Sequence, residues 1–192
     1  MNYILASASP RRRELLLLAG LDFTICAAAA DETPEPALSP GEAAQAIAAR
    51  KAAAVADLLC PADDTVIIAA DTVVSLDGAL FGKPRDDGDA ARMLRALSGR
   101  EHSVFTGVCL RRGERGCGFY QETRVRFYAL TDGEIAAYIR SGEPRDKAGA
   151  YGIQGRGALL AEGITGDYCN VVGLPLARLI RTLRTMEAEP WT

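Results

Sequence analysis

Asp71 directly follows the most apolar run of the chain, Thr65 to Ala70, in the stretch TVIIAADTVV. Such a run reads as a buried central strand, expected to end abruptly at Asp71. A carboxylate at the carboxyl end of that strand sits where α/β sheets place ligands. A turn-forming Asp bonding its own backbone would more often be followed by Gly or Ser, whereas TVV continues in extended form. Asp71 therefore reads as a functional acid. It is not an aspartyl-phosphate nucleophile, because Val73 stands where that signature needs a second acid.

A second constellation lies at Ser7-Ala8-Ser9-Pro10, where a short apolar segment gives way to a helix opening with Arg11, Arg12 and Arg13. A helix N-terminus already carries partial positive charge, so cations there oppose the dipole unless an anion joins them. Ser7 or Ser9 can cap the helix, and position 12 is Arg rather than the acid of a capping box. Guanidinium groups beside free N–H groups make a site for phosphate or pyrophosphate. Glu32, Lys51, Lys83, Asp146, Lys147 and Gln154 are the other polar residues of note, and each lysine alone reads as a surface charge. His102 lacks a partner pattern beyond Glu101 and reads as structural. GIQGRG has the wrong spacing for a dinucleotide loop. Cations to hold phosphates and carboxylates to hold a divalent metal together equip a chain for phosphoryl-group hydrolysis. The missing P-loop argues against γ-phosphate cleavage. The residues by themselves lead to a cytosolic phosphate-ester or nucleotide hydrolase.

Bulk properties agree. The chain has 192 residues, net charge −3 and 48% hydrophobic content, which suit a single domain, residues 1–192, of ordinary soluble composition. The acidic balance and 6% aromatic content give no case for nucleic acid. Five scattered cysteines without a C-x-x-C pair read as reduced thiols, and one histidine excludes a His-rich metal site. The start MNYILASASP lacks a signal-peptide n-region, and no apolar run reaches membrane-spanning length, so the expected place is the cytoplasm.

Local signals set out the elements. Residues 3–7 and 23–28 read as strands, with a helix from Pro10 ending at Gly20. Ser39-Pro40-Gly41-Glu42 is a capping box predicting a helix from Pro40 to about Leu59. Asp77-Gly78 predicts a hairpin, and a helix is expected from Asp87 to Leu97. Two long strands should flank a Gly-rich turn at 113–118. Thr131 and Glu134 form another capping box, with a helix ending at Gly142. ALLAEGI reads as a strand and LPLARLIRTLRTM as an amphipathic closing helix; EAEPWT is too short to weigh. The class is α/β with an elongated mixed β-sheet and flanking helices.

LASASPRRRELL, AADTVV, GKP, MLRALSGREHSVFTGV, EPRDKAGAYGIQGRGAL and GDYCNVVGLPL follow one another from residue 5 past residue 175. In this order they resemble the Maf family of nucleoside triphosphate pyrophosphatases. The resemblance implies cleavage between the α- and β-phosphates, giving a monophosphate and pyrophosphate. It implies Asp71 as the base that deprotonates water, and Arg11, Thr72 and Gln154 at positions linked to substrate choice. Ser9, Arg12, Glu32, Lys51 and Lys83 match positions for phosphate, metal or base contact, whereas Arg13 is open to solvent. ADTVV paired with GAYGIQG is similar to the branch acting on dTTP and UTP, and extends to modified pyrimidine nucleotides in a pool-cleaning role. Cys169 departs from the pattern where a second aromatic is common. Mg²⁺ or Mn²⁺ held by Asp71, Glu32 and the phosphates is the implied cofactor. The implied fold has two lobes with a central cleft (Maf/ITPase-like), commonly paired as a homodimer. A second reading is a nucleotide-binding regulator of septum formation and cell division without important turnover.

Overall fold

The computed structural model describes residues 2–186; Met1 and the terminal EAEPWT segment lie outside the described residues. A seven-stranded mixed sheet carries the fold, in the order β2-β1-β3-β5-β6-β7 with β4 on β3. The elements fall into two compact units, each assembled from discontinuous stretches of chain: Met1–Asp71, Thr106–Gln121 and Gly173–Thr192 in one, Thr72–Phe105 and Glu122–Val172 in the other.

In the first unit, β1 (Asn2–Leu5) pairs in parallel with β2 (Thr24–Ile25) and with the first residues of β3 (Thr65–Leu76). Parallel neighbours need covered faces, and the strand sequences YIL and VIIAA supply the apolar side chains. Helix α2 (Pro40–Leu59) provides the cover: Ala52 and Val55 join Ile4, Ala6, Ile67 and Ala69 in one buried cluster. The expected capping box is present at Ser39 and Glu42, and the helix spans the expected residues. Its alanines let strand β5 (Glu101–Arg112) come so close that a Cβ on Gly107 would run into the backbone of Ala44 and Gln45. Helix α1 (Pro10–Leu18) buries Leu15 and Leu16, and α6 (Leu176–Thr185) buries Leu179 and Leu183.

In the second unit, the Asp77-Gly78 turn, with φ of 52° and 81°, returns β3 into β4 (Ala79–Phe81), pairing Val74 with Phe81. Helix α3 (Asp87–Leu97) matches its expected range and α4 (Asp132–Arg140) carries the second capping box. Met93, Leu94, Leu97, Ile135 and Tyr138 from these helices pack with Val104, Val125 and Phe127. Strand β7 (Ala161–Thr165) runs antiparallel to β6 (Arg115–Phe127), with a bulge at Arg126/Phe127.

Four local expectations need correction. Strand β3 does not end at Asp71 but continues to Leu76, because β-branched Thr72, Val73 and Val74 keep the chain extended. The strand expected over 23–28 shrinks to Thr24–Ile25, whose two residues are both exposed. The Gly-rich turn is only Gly113-Glu114, since β6 already begins at Arg115. ALLAEGI is divided between a 3₁₀ turn, Gly155–Leu159, and β7. A short helix, α5 (Tyr168–Val172), lies within GDYCNVVG, where no local signal marks it.

Candidate active site

Asp71 and Thr72 are the two half-open positions in a strand otherwise buried along its length. A carboxylate in such a strand needs a partner, and Lys51 of α2 supplies it: Nζ lies 2.6 Å from Asp71 Oδ1. The same ammonium lies 2.8 Å from Glu32 Oε1, so Lys51 bridges two acids. The Lys51 and Asp71 side chains are 15% and 13% exposed, which keeps this contact largely out of water; Glu32 is 48% exposed. Lys51 is thus not the solvated surface lysine its local sequence suggests.

Glu32 belongs to a loop whose shape depends on Arg50, the neighbour of Lys51. Arg50 donates from Nε to Asp31 O (2.8 Å), from Nη2 to Thr33 O (2.7 Å) and from Nη1 to Glu35 Oε1 (3.1 Å). Asp31 Oδ1 accepts from Thr33 N at 2.8 Å, closing an Asx turn around Glu32. Sequence reasoning missed Arg50; the adjacent Arg-Lys pair in α2 downstream of an acid-rich loop is the available signal.

At the start of α1, Ser9 takes the N-cap position but makes no side-chain capping bond. Ser7 Oγ instead accepts from Ser9 N and from Arg12 Nη1, both at 3.2 Å. The first turn has no acidic residue, so helix N–H groups and guanidinium groups share one end. Arg12 is half-buried, and its Nε donates to Gly173 O at 2.8 Å. Burial lowers its pKa, while Asp71 and Glu32 pull it back up and Arg11 pushes it down. Arg11, Glu32 and Asp71 are therefore each within electrostatic reach of Arg12. Arg13 is exposed. Part of the Arg12 guanidinium is thus committed to the chain itself.

Asp71 and Glu32 offer hard oxygen donors of the kind that Mg²⁺ or Mn²⁺ takes together with phosphate oxygens. No cluster of three or more His, Cys, Asp or Glu residues suited to a metal occurs among the described residues. Two carboxylates fit an ion that completes its shell with substrate and water, and do not fit a closed structural site. Chemically, the first unit gathers two carboxylates on one lysine and an arginine-bearing helix start: groups of the kind that take a proton and hold an anion.

The second unit holds Thr72, Lys83 and Gln154. Lys83 is exposed in the GKP loop after β4, and the preceding Gly82 O accepts from Gly149 N at 3.0 Å. That bond ties the lysine loop to the segment leading to half-buried Gln154. Gly149, at φ 69°, sits on Val74, where a Cβ would come within 3.0 Å of the valine side chain. Tyr138 Oη accepts from Gly152 N at 3.2 Å on one side of Gln154. On the other, the Glu143 carboxylate accepts from Arg156 N (3.1 Å) and Gly157 N (3.4 Å). Lys147 Nζ donates to Glu143 O (2.6 Å) and Asp146 Oδ1 (2.7 Å), so Asp146 and Lys147 brace this same segment.

His102 is buried, and its Nε2 lies 2.7 Å from Tyr151 Oη. Its Nδ1 has no hydrogen-bond partner, and burial pushes the imidazole down to about 4. It is a neutral core histidine, as its sequence context suggests. The GDYCNVVG motif is also structural: Asn170 Nδ2 donates to Val104 O and Thr123 Oγ1, both at 3.0 Å. Cys169 is half-buried, and all five cysteines are free thiols.

The sequence family described as Maf-like protein matches residues 2–186. The dTTP/UTP pyrophosphatase of Bacillus pumilus is 49% identical over 188 residues, covering 98% of each chain. That of Pelotomaculum thermopropionicum is 49% identical over 183 residues, covering 94% of each. That of Bacillus cytotoxicus is 46% identical over 187 residues, covering 97% of this chain and 96% of the relative. Among solved structures, the Staphylococcus aureus Ham1 protein is 15% identical with a TM-score of 0.48, covering 66% of this chain and 72% of that one. A family match over nearly every described residue, together with near-half identity along whole chains, establishes that this chain belongs to the family of Maf-like proteins.

Proposed function

We propose that this protein is a nucleoside triphosphate pyrophosphatase that hydrolyses dTTP and UTP to the monophosphate and pyrophosphate. The observation that carries this reading is the half-open Asp71 bridged through Lys51 to Glu32 and lying in the field of Arg12. Relatives that share nearly half its residues along their whole length bear that activity as their name.

Asp71 accepts a proton from water as the water oxygen attacks phosphorus. The α–β bridging bond breaks, and pyrophosphate leaves with the bond's electrons. Ser9, Arg11, Arg12 and Lys51 hold the phosphates, and charge on the leaving group is met by fixed cations rather than by solvent. Asp71 and Glu32 are the residues that would hold Mg²⁺ or Mn²⁺. When bound, that ion neutralises the crowded negative charge of triphosphate and carboxylates. Thr72, Arg11 and Gln154 set substrate choice; the Gln154 amide both donates to and accepts from a pyrimidine edge. The same edge is present on modified pyrimidine nucleotides, which places the enzyme in nucleotide-pool cleaning.

The enzyme acts in the cytoplasm, as a homodimer, on free nucleotides rather than nucleic acid. Five free thiols and a net charge of −3 support the first and last of these. No helix among the described residues is long and apolar enough to cross a membrane. A panel of nucleoside triphosphates with Mg²⁺ or Mn²⁺, assayed for pyrophosphate and monophosphate, tests the reading. Turnover of dTTP and UTP above purine triphosphates is expected. Orthophosphate as the sole phosphate product, or no turnover of either pyrimidine, overturns it.

A further inference from the structure

We propose that His102 and Tyr151 are positioning residues for Gln154: their buried hydrogen bond fixes the segment that presents the amide to the nucleotide base. This rests on the reading of Gln154 as a base-contacting residue. Three observations carry it. First, Tyr151 stands three residues before Gln154 and is itself buried, with its Oη 2.7 Å from His102 Nε2. Second, His102, Tyr151 and Phe127 form a cluster of mutually edge-on rings. Their centroids are 5.0 Å apart for His102 and Phe127, 5.3 Å for His102 and Tyr151, and 4.7 Å for Phe127 and Tyr151. Such edge-to-face packing fixes the plane of the tyrosine ring as well as its depth. Third, the residue before Tyr151 is in a conformation that only strong constraint holds: Ala150 has φ of 61° and is fully buried. A non-glycine residue in the left-handed region persists where surrounding contacts over-determine the backbone.

A buried aromatic cage with one polar link is a costly way merely to fill space. Phenylalanine and leucine at these two positions would fill it without a polar pair, and without leaving Nδ1 of His102 unpartnered. What the polar link adds is direction. It ties Tyr151 to one point on β5, and the bonds at Gly152, Arg156 and Gly157 hold the backbone on either side of half-buried Gln154. Neither residue touches the reacting phosphates in this account, so both act through Gln154.

The experiment compares Tyr151→Phe, His102→Leu, His102→Gln and Gln154→Ala with the wild-type enzyme. Each is measured for kcat and KM on UTP, dTTP and GTP, and for melting temperature. Tyr151→Phe and His102→Leu are expected to raise KM for UTP and dTTP by about fivefold, the size of one lost hydrogen bond, with kcat nearly unchanged. His102→Gln restores much of that loss by offering a new polar group to Oη. Tyr151→Phe combined with His102→Leu is expected to be no worse than either alone, since both remove the same bond. Preference for pyrimidine over GTP should fall in step with KM. Tyr151→Phe keeps the ring and the packing, so it tests the link even if His102→Leu does not fold. A lowered melting temperature with unchanged KM and base preference in Tyr151→Phe marks the pair as merely structural and overturns the inference, provided Gln154→Ala does change KM. If Gln154→Ala also leaves KM and preference unchanged, the base-contact reading falls and the inference falls with it.

Discussion

An ammonium 2.6 Å from Asp71 and 2.8 Å from Glu32 holds the two carboxylates on one partner. Asp71→Asn preserves the shape of that cluster and removes its ability to take a proton. It should lower kcat by about a thousandfold while leaving nucleotide affinity within a few-fold, as separate turnover and equilibrium-binding measurements would show. Arg50 works one step further back, holding the loop that carries Glu32 by three hydrogen bonds. Arg50→Ala should accelerate amide hydrogen exchange across residues 31–35, with little change in the rest of α2. His102 makes a different prediction. The unfolded chain takes a proton below 6.5, whereas burial holds the folded imidazole down to about 4, so stability falls as pH drops through that window. The full penalty is about 3 kcal/mol, and the part above pH 5 should vanish in His102→Gln when melting is followed against pH. It is the chain's only histidine, so no other imidazole blurs the result. At this scale the sequence is uneven in what it discloses. Asp71 stands out because a charge after an apolar strand demands explanation. Lys51 and Arg50 do not, because their partners are far away in the chain and nothing local marks them.

Elements whose ends are written in local chemistry are the legible ones. Helix α2 spans Pro40–Leu59 because Ser39 and Glu42 cap it reciprocally, and α3 spans Asp87–Leu97 because the Asp86 side chain accepts from Asp89 N. Ser39→Ala should therefore cost about 1 kcal/mol in denaturant unfolding, with no change in turnover. Strands are set by neighbours instead. Strand β2 lasts only while β1 offers it partners at Ile4 and Leu5, and the half-buried carboxylate that β3 carries midway is satisfied by Lys51 from another element. The approach of β5 to α2 is equally invisible locally, yet it makes Gly107 indispensable. Gly107→Ala should destabilise the protein by about 3 kcal/mol or abolish soluble expression, because a methyl group there meets helix backbone that cannot step aside.

At the scale of the whole molecule, the chain crosses between its two units at residues 71/72, 105/106, 121/122 and 172/173, and β3, β5 and β6 contribute to both. The mixed α/β class is legible from alternating strand and helix signals, whereas this interleaving is not, since no linker composition marks a crossing inside a strand. The proposed site residues follow the same division: Ser9, Arg11, Arg12, Glu32, Lys51 and Asp71 fall in one unit, Thr72, Lys83 and Gln154 in the other. Such a chain is proposed to cut a pyrimidine triphosphate between its α- and β-phosphates. Phosphorus NMR of the wild-type protein incubated with dTTP and Mg²⁺ tests it most directly. The triphosphate signals are expected to give way to those of dTMP and pyrophosphate alone, with no dTDP at any time. Accumulation of dTDP with orthophosphate, or an unchanged dTTP spectrum, would contradict it.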